Sequence, residues 1–152
     1  MPDVPSASKD LPLLKAAVIC ETVIHGADGV LSLINIIDRR MITAQGQDAP
    51  PEMPPHEWEF NLVLMFVSGI YVGKAKIAVS VQSPDGLRKP IHSSAAYFEG
   101  GDRGANFIVR MKFTFKFEGQ YWFEVYVNDQ PVTRVPARII YNPVTQQLMP
   151  PP

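Results

Sequence analysis

Cysteine is almost missing from this chain. Cys20 is the single thiol in 152 residues, so no disulfide can form within it. A disulfide-stapled secreted scaffold is thereby excluded. An excess of one charge is missing as well. Fourteen Lys and Arg stand against fifteen Asp and Glu, a formal net of −1. That removes the broad positive field on which nucleic-acid binding rests. Long hydrophobic runs are also absent: the longest, Leu62 to Val67, is far too short to cross a bilayer. The first ten residues carry Pro2, Asp3, Pro5 and Asp10 where a secretion signal would show positive charge and then an apolar core. No lipidation motif appears at either end. The expectation is a cytoplasmic protein with no membrane and no nucleic-acid partner.

What is present is a chain able to fold alone. Its length suits a single domain, and 46% of its residues are apolar, as in ordinary globular proteins. Three stretches read as connections. Residues 1–12, rich in Pro, Ser and Asp, form a flexible N-terminal segment. Residues 44–57 contain Ala49-Pro50-Pro51-Glu52-Met53-Pro54-Pro55, whose four prolines fit neither a helix nor a central strand. Residues 142–152 form a Pro-rich C-terminal tail.

Between these, alternation with a period of two dominates. From Phe107 to Phe117 the odd positions are Phe, Val, Met, Phe, Phe and Phe, and the even ones are mostly Arg, Lys and Thr. Successive side chains of a strand point to opposite faces, so one face is apolar and the other charged. Trp58, Phe60, Leu62, Leu64 and Phe66 share a face in the same way, as do Ile77, Val79 and Val81, then Tyr121, Phe123, Val125 and Val127, then Val135, Ala137, Ile139 and Tyr141. Lys15 to Val23 and Val30 to Ile37 are more uniformly apolar and read as central strands. Asp28-Gly29, Asp85-Gly86 and Asn128-Asp129 supply residues that tolerate positive φ where strands must reverse.

No stretch of ten residues shows helical periodicity with caps. The pattern predicts an all-β fold: a single antiparallel β-sandwich of the immunoglobulin-like kind, with seven or eight strands and little helix, over residues 13–141. Gly119, two residues before Tyr121 at the start of a late strand, resembles a tyrosine corner, with a plain hairpin turn as the alternative. Pro136 marks its strand as an edge or a bulge.

Chemistry is harder to find. His25, His56 and His92 each sit beside a turn or a Pro-rich loop, and none has a partner at metal-ligand spacing. Gly-x-Ser-x-Gly is absent, and Ser-x-x-Lys occurs only at Ser6 to Lys9 in the N-terminal segment. Cys20 lies in an apolar run and reads as a small buried hydrophobe. Gly100-Gly101-Asp102-Arg103-Gly104 is the one glycine-rich loop; it precedes no helix, and Arg103 would be its anion contact. Trp122 and Tyr126 fall on the face opposite Tyr121, Phe123 and Val125, with Glu124 between them. Exposed, they suit an interface or a sugar platform. Arg110, Lys112, Lys116, Arg134 and Arg138 make basic stripes on outward faces. No catalytic residue, metal ligand or cofactor is assigned.

Two blocks, spanning residues 15–38 and 119–136, carry a resemblance: Lys15-Ala16-Ala17-Val18-Ile19-Cys20-Glu21 with Asp28-Gly29-Val30-Leu31-Ser32-Leu33-Ile34-Asn35-Ile36-Ile37-Asp38, and Gly119-Gln120-Tyr121-Trp122-Phe123-Glu124-Val125-Tyr126-Val127 with Thr133-Arg134-Val135-Pro136. They are similar to a family of short bacterial proteins of unknown function. The resemblance covers about a third of the chain; it implies an immunoglobulin-like sandwich and transfers no activity or ligand. The leading expectation is a non-enzymatic interaction or structural module, with a protein partner or self-association, such as a homodimer, through an edge strand or the Trp122/Tyr126 face. One alternative is a small-ligand or carbohydrate-binding domain using Trp58, Trp122 or Tyr126. The other is an enzyme with a site built from loops around His56, His92 and residues 100–104.

Overall fold

The computed structural model describes residues 11–144. The flexible-segment expectation for residues 1–10 and the tail expectation for residues 145–152 lie outside the described residues. The fold is all-β. Seven strands follow in order: β1 (Leu13–His25), β2 (Leu31–Ile36), β3 (Arg39–Gln45), β4 (His56–Gln82), β5 (Arg88–Phe115), β6 (Gly119–Val127) and β7 (Gln130–Val144). The only helical turn among the described residues is a 3-10 turn at Ala27–Gly29. No helix there is long and apolar enough to cross a membrane.

β4 and β5 form one long hairpin that makes the sandwich. Residues 56–67 of β4 pair with residues 104–115 of β5, and β1 lies on the other side of that half. Residues 72–82 of β4 pair with residues 88–99 of β5, and β6 lies on the other side of that half. Between the halves the register slips twice, at Val67/Gly69 and Gly69/Val72. The backbone takes positive φ at Gly69 (60°) and Gly100 (90°), conformations open to glycine at little cost. The hairpin therefore bends, and each strand serves in two layers. One layer runs β2-β1-β4-β5 and the other β5-β4-β6-β7-β3.

Aromatic rings join the layers. Phe60 meets Phe123 at 5.6 Å between centroids, and Phe115 meets Tyr121 at 4.8 Å, both edge to face. The alternating positions predicted to point inward at Trp58 to Phe66, Ile77 to Val81 and Tyr121 to Val127 are all buried. Tyr121 makes the tyrosine corner: its hydroxyl donates to the carbonyl of Phe117 (2.7 Å) and accepts from the N–H of the same residue (3.1 Å). The Asn128-Asp129 turn has both residues at positive φ, as a tight hairpin between twisted strands requires.

Several expectations need correction. Pairing is antiparallel except between β3 and β7, which run parallel. Chain connectivity imposes this: β3 arrives from the other layer and lies along the last strand in its own direction. The same ladder joins Thr43, Ala44 and Gln45 to Asn142, Pro143 and Val144, so β3 and β7 each run into residues read as loop and tail. Pro136 precedes the part of β7 that β3 covers, and its missing N–H faces an unpaired edge. Leu11 packs on the core and Pro12 is buried. Gly100 to Gly104 is the bend within β5, not a loop, because its neighbours keep pairing across it. Val30 to Ile37, read as a central strand, supplies the edge strand β2, where Ile34 and Ile36 are exposed. A uniformly apolar run fits a strand buried on both faces and a strand awaiting a cover equally well.

Candidate functional site

The bend in the hairpin has a second effect. β5 is an edge strand twice, once in each layer, and both edges fall on the same flank of the sandwich. Stacked layers sit about 10 Å apart, too far for the two edges to hydrogen-bond to each other. A cleft of 640 Å³ opens between them, from Arg88 and Lys89 on one edge to Lys112, Phe113 and Lys116 on the other. A second compartment of 340 Å³ continues it along Ile91, His92, Val109 and Arg110. Ile91, Val109, Met111, Phe113 and Tyr121 give it an apolar floor. Its rims are cationic. Residues 86–98 and 103–117 contain no Asp or Glu, and Arg88, Lys89, Arg110, Lys112 and Lys116 line the cleft; the one carboxylate in its lining is Asp85, which accepts from the N–H of Leu87 (3.1 Å).

Acids reach some of these bases from neighbouring strands. Glu124 takes Arg88 at 2.9 Å, and Glu57 and Glu59 lie 3.5 and 4.0 Å from Lys112. Lys89, Arg110 and Lys116 have no ion-pair partner among the described residues. An extended chain laid along either edge would meet unpaired backbone groups, apolar side chains below and positive charge beside it.

Around the corner lies the outer face of β6. Trp122 and Tyr126 are half-buried there, and Glu124 between them is buried. Glu124 is held by Arg88 on one side and by Arg134, at 3.9 Å, on the other. Arg134 also lies over the Trp122 ring, 4.1 Å from its centroid. One indole face is thus occupied by a guanidinium, the arrangement of a packed cation–π pair and not of an open sugar platform. Arg88 belongs to both this cluster and the cleft, which joins the two surfaces.

The other sequence-predicted residues fall elsewhere. Trp58 is buried against Phe60 (4.5 Å) and Phe115 (6.0 Å) with Arg40 over its ring, so it serves the core and offers no platform. Its alternation with Phe60 and Leu62 already pointed inward. Arg103 is exposed at the bend, paired with Glu99 at 2.9 Å, and lines neither cleft compartment. His56 and His92 stand on different strands halves apart: His92 contacts the Ser94 hydroxyl at 3.0 Å in β5, while His56 begins β4 beside Arg40. Burial first, and then the Arg40 charge, push the His56 pKa below its ordinary value. Cys20 is fully buried, and burial pushes its thiol pKa up, as for an inert thiol. No cluster of three or more His, Cys, Asp or Glu suited to a metal exists among the described residues. Sequence reasoning missed Arg88 and Lys89; the available signal was the long acid-free stretch they begin.

No family model matches this chain, and no curated protein matches it. Among solved structures, it is similar to the CARDB domain of a Pyrococcus furiosus protein, crystallised in complex with di-metal ions. That likeness has a TM-score of 0.43 at 11% identity, over 88% of this chain and 97% of that one. It is also similar to part of the alkylpurine DNA glycosylase AlkC of Pseudomonas fluorescens, bound to DNA containing an abasic site analog. There the TM-score is 0.40 at 8% identity, over 82% of this chain and 30% of that one.

Proposed function

We propose that this protein is a non-enzymatic, cytoplasmic interaction module whose open flank takes an extended polypeptide segment rich in acidic and apolar residues. The observation that carries this is the cleft between the two edges of β5, with an apolar floor, cationic rims and backbone groups free to add a strand. Strand addition supplies affinity through the main chain, and the alternate side chains of the guest supply selectivity. Charge on the rims sets the encounter rate and the sign preference.

The test uses a fluorescein-labelled peptide of alternating glutamate and valine, titrated with the full chain and followed by anisotropy. Saturable binding is expected, weakened by salt and lowered about tenfold or more by Lys89→Glu with Arg110→Glu. A peptide of alternating lysine and valine should not bind. Equal binding of both peptides, or of neither, overturns the proposal.

A further inference from the structure

The hairpin of β1 and β2 stands apart from the body. β1 is held by β4 only as far as Cys20, which lies opposite Asn61. Beyond that point residues 22–25 pair with β2 alone, and β2 pairs with nothing but β1. None of Val23, Ile24, Val30, Leu31, Leu33, Ile34 or Ile36 belongs to the core or packs against it. Ile24, Val30, Ile34 and Ile36 are 40–62% exposed. A two-stranded ribbon with two open faces is marginal in water on its own, and one this apolar needs a cover.

Edge protection points the same way. The β5 edges carry Arg88, Lys89 and Pro90 in one half and Arg110 and Lys112 in the other, with Lys116 just past the strand's end, and β3 carries Arg39 and Arg40. Such charges and prolines keep foreign strands from adding to an edge unless a complementary guest offsets them. β2 reads Leu31-Ser32-Leu33-Ile34-Asn35-Ile36, with no charge and no proline. Asn35, at φ 57° and donating to Glu21 (2.9 Å), interrupts only the end of the strand and leaves Leu31 to Ile34 in unbroken register with residues 22–25 of β1.

Charge then selects the occupant. The projecting part, residues 22–36, has no Lys or Arg and one acid, Asp28; Glu21 at its base lies 3.9 Å from Arg40. This arm is apolar with a net negative charge; the cleft on the opposite flank is apolar with a net positive lining. We infer that the arm of one molecule docks in the β5 cleft of a second copy of this chain, β2 adding to an open β5 edge. The contact is head to tail, so it propagates into a chain or closes into a ring. The inference rests on the cleft being a peptide-binding groove, as proposed above, and names the segment that fills it.

Sedimentation velocity over a concentration series tests it with two variants. The arm variant is Ile24→Ser with Ile34→Ser; the cleft variant is Lys89→Glu with Arg110→Glu. All four positions lie outside the core, and near-ultraviolet circular dichroism checks that both variants fold. Wild type is expected to associate in a salt-sensitive way. Each variant alone should associate about tenfold or more weakly. Mixed, they should give a heterodimer that grows no further, because one intact arm meets one intact cleft. Association of the cleft variant at the wild-type strength would mean that arms pair with arms, and would overturn the inference. A wild type that stays monomeric throughout also overturns it, and the glutamate–valine peptide titration then decides separately whether the groove reading stands.

Discussion

Replacing Tyr121 with phenylalanine removes one oxygen and leaves the ring in place. That oxygen serves both backbone groups of Phe117, accepting from its N–H and donating to its carbonyl. The ring itself is buried, in edge-to-face contact with Phe115 and Phe113, so its burial cancels between the two proteins. What changes is the fate of Phe117. Each neutral hydrogen bond contributes about 0.5–1.5 kcal/mol net, and a buried group left without a partner costs about 1–3 kcal/mol. The Phe117 side chain is half-exposed, so water reaches part of this corner and moderates the penalty. The expected loss is about 1.5–2.5 kcal/mol, or roughly 4–8 °C in melting temperature for a domain of this size. Urea unfolding followed by tryptophan fluorescence, with Trp58 in the core as reporter, should show a lower midpoint at an unchanged slope. Burial, ahead of the opposing Phe117 hydrogen bonds, raises the Tyr121 pKa above its ordinary value near 10. The fold therefore favours the protonated phenol. Its contribution is complete below pH 10 and is lost as pH rises through the folded-state pKa. The phenylalanine variant should lack that alkaline component. A change under about 0.5 kcal/mol, within the range of ordinary surface substitutions, would refute the assigned role of the corner.

Two further predictions concern the body. His56 has its pKa depressed by burial and by Arg40, so the fold favours its neutral form. Its contribution is present above pH 6.5 and is lost as pH falls through the folded-state pKa; urea midpoints at pH 7 and pH 5 should differ less in His56→Leu than in wild type. At Gly104 an added Cβ would overlap the carbonyl oxygen of Phe66, where β5 crosses β4. Gly104→Ala should cost about 2 kcal/mol or more in urea unfolding, and an unchanged midpoint would show that the strands separate there freely.

The strands were legible because each half-buried segment wears its alternation openly; Phe107 to Phe117 is the clearest case. Turn residues at Asp28, Asp85 and Asn128 punctuated them, and Gly119 before Tyr121 announced the corner. The bend was not legible. Gly100 and Gly101 look like a loop in one dimension, since nothing local tells that the residues on both sides pair with a single partner strand. The cleft was hidden for the same reason. Arg88 and Lys112 line one cleft only because one strand returns on itself in a second layer, a relation set by long-range pairing and not by spacing. The outward direction of Trp122 and Tyr126 followed from alternation, but the guanidinium of Arg134 over Trp122 depends on which residue of β7 lies across from Glu124.

The shared hairpin of β4 and β5 also sets how the domain comes together. Its turn is closed by local bonds, from the N–H of Ser83 to the carbonyl of Leu87 and from the N–H of Gly86 to the carbonyl of Ser83, both 2.9 Å. Zipping from that turn builds contacts of short sequence separation first, which is the fast route for a β-rich chain. By the time pairing reaches His56 and Phe115, a template for both layers exists, and β1 and β6 can each add to a formed edge. Since the two layers share β4 and β5, neither can melt while the other survives. Unfolding should then be a single cooperative event.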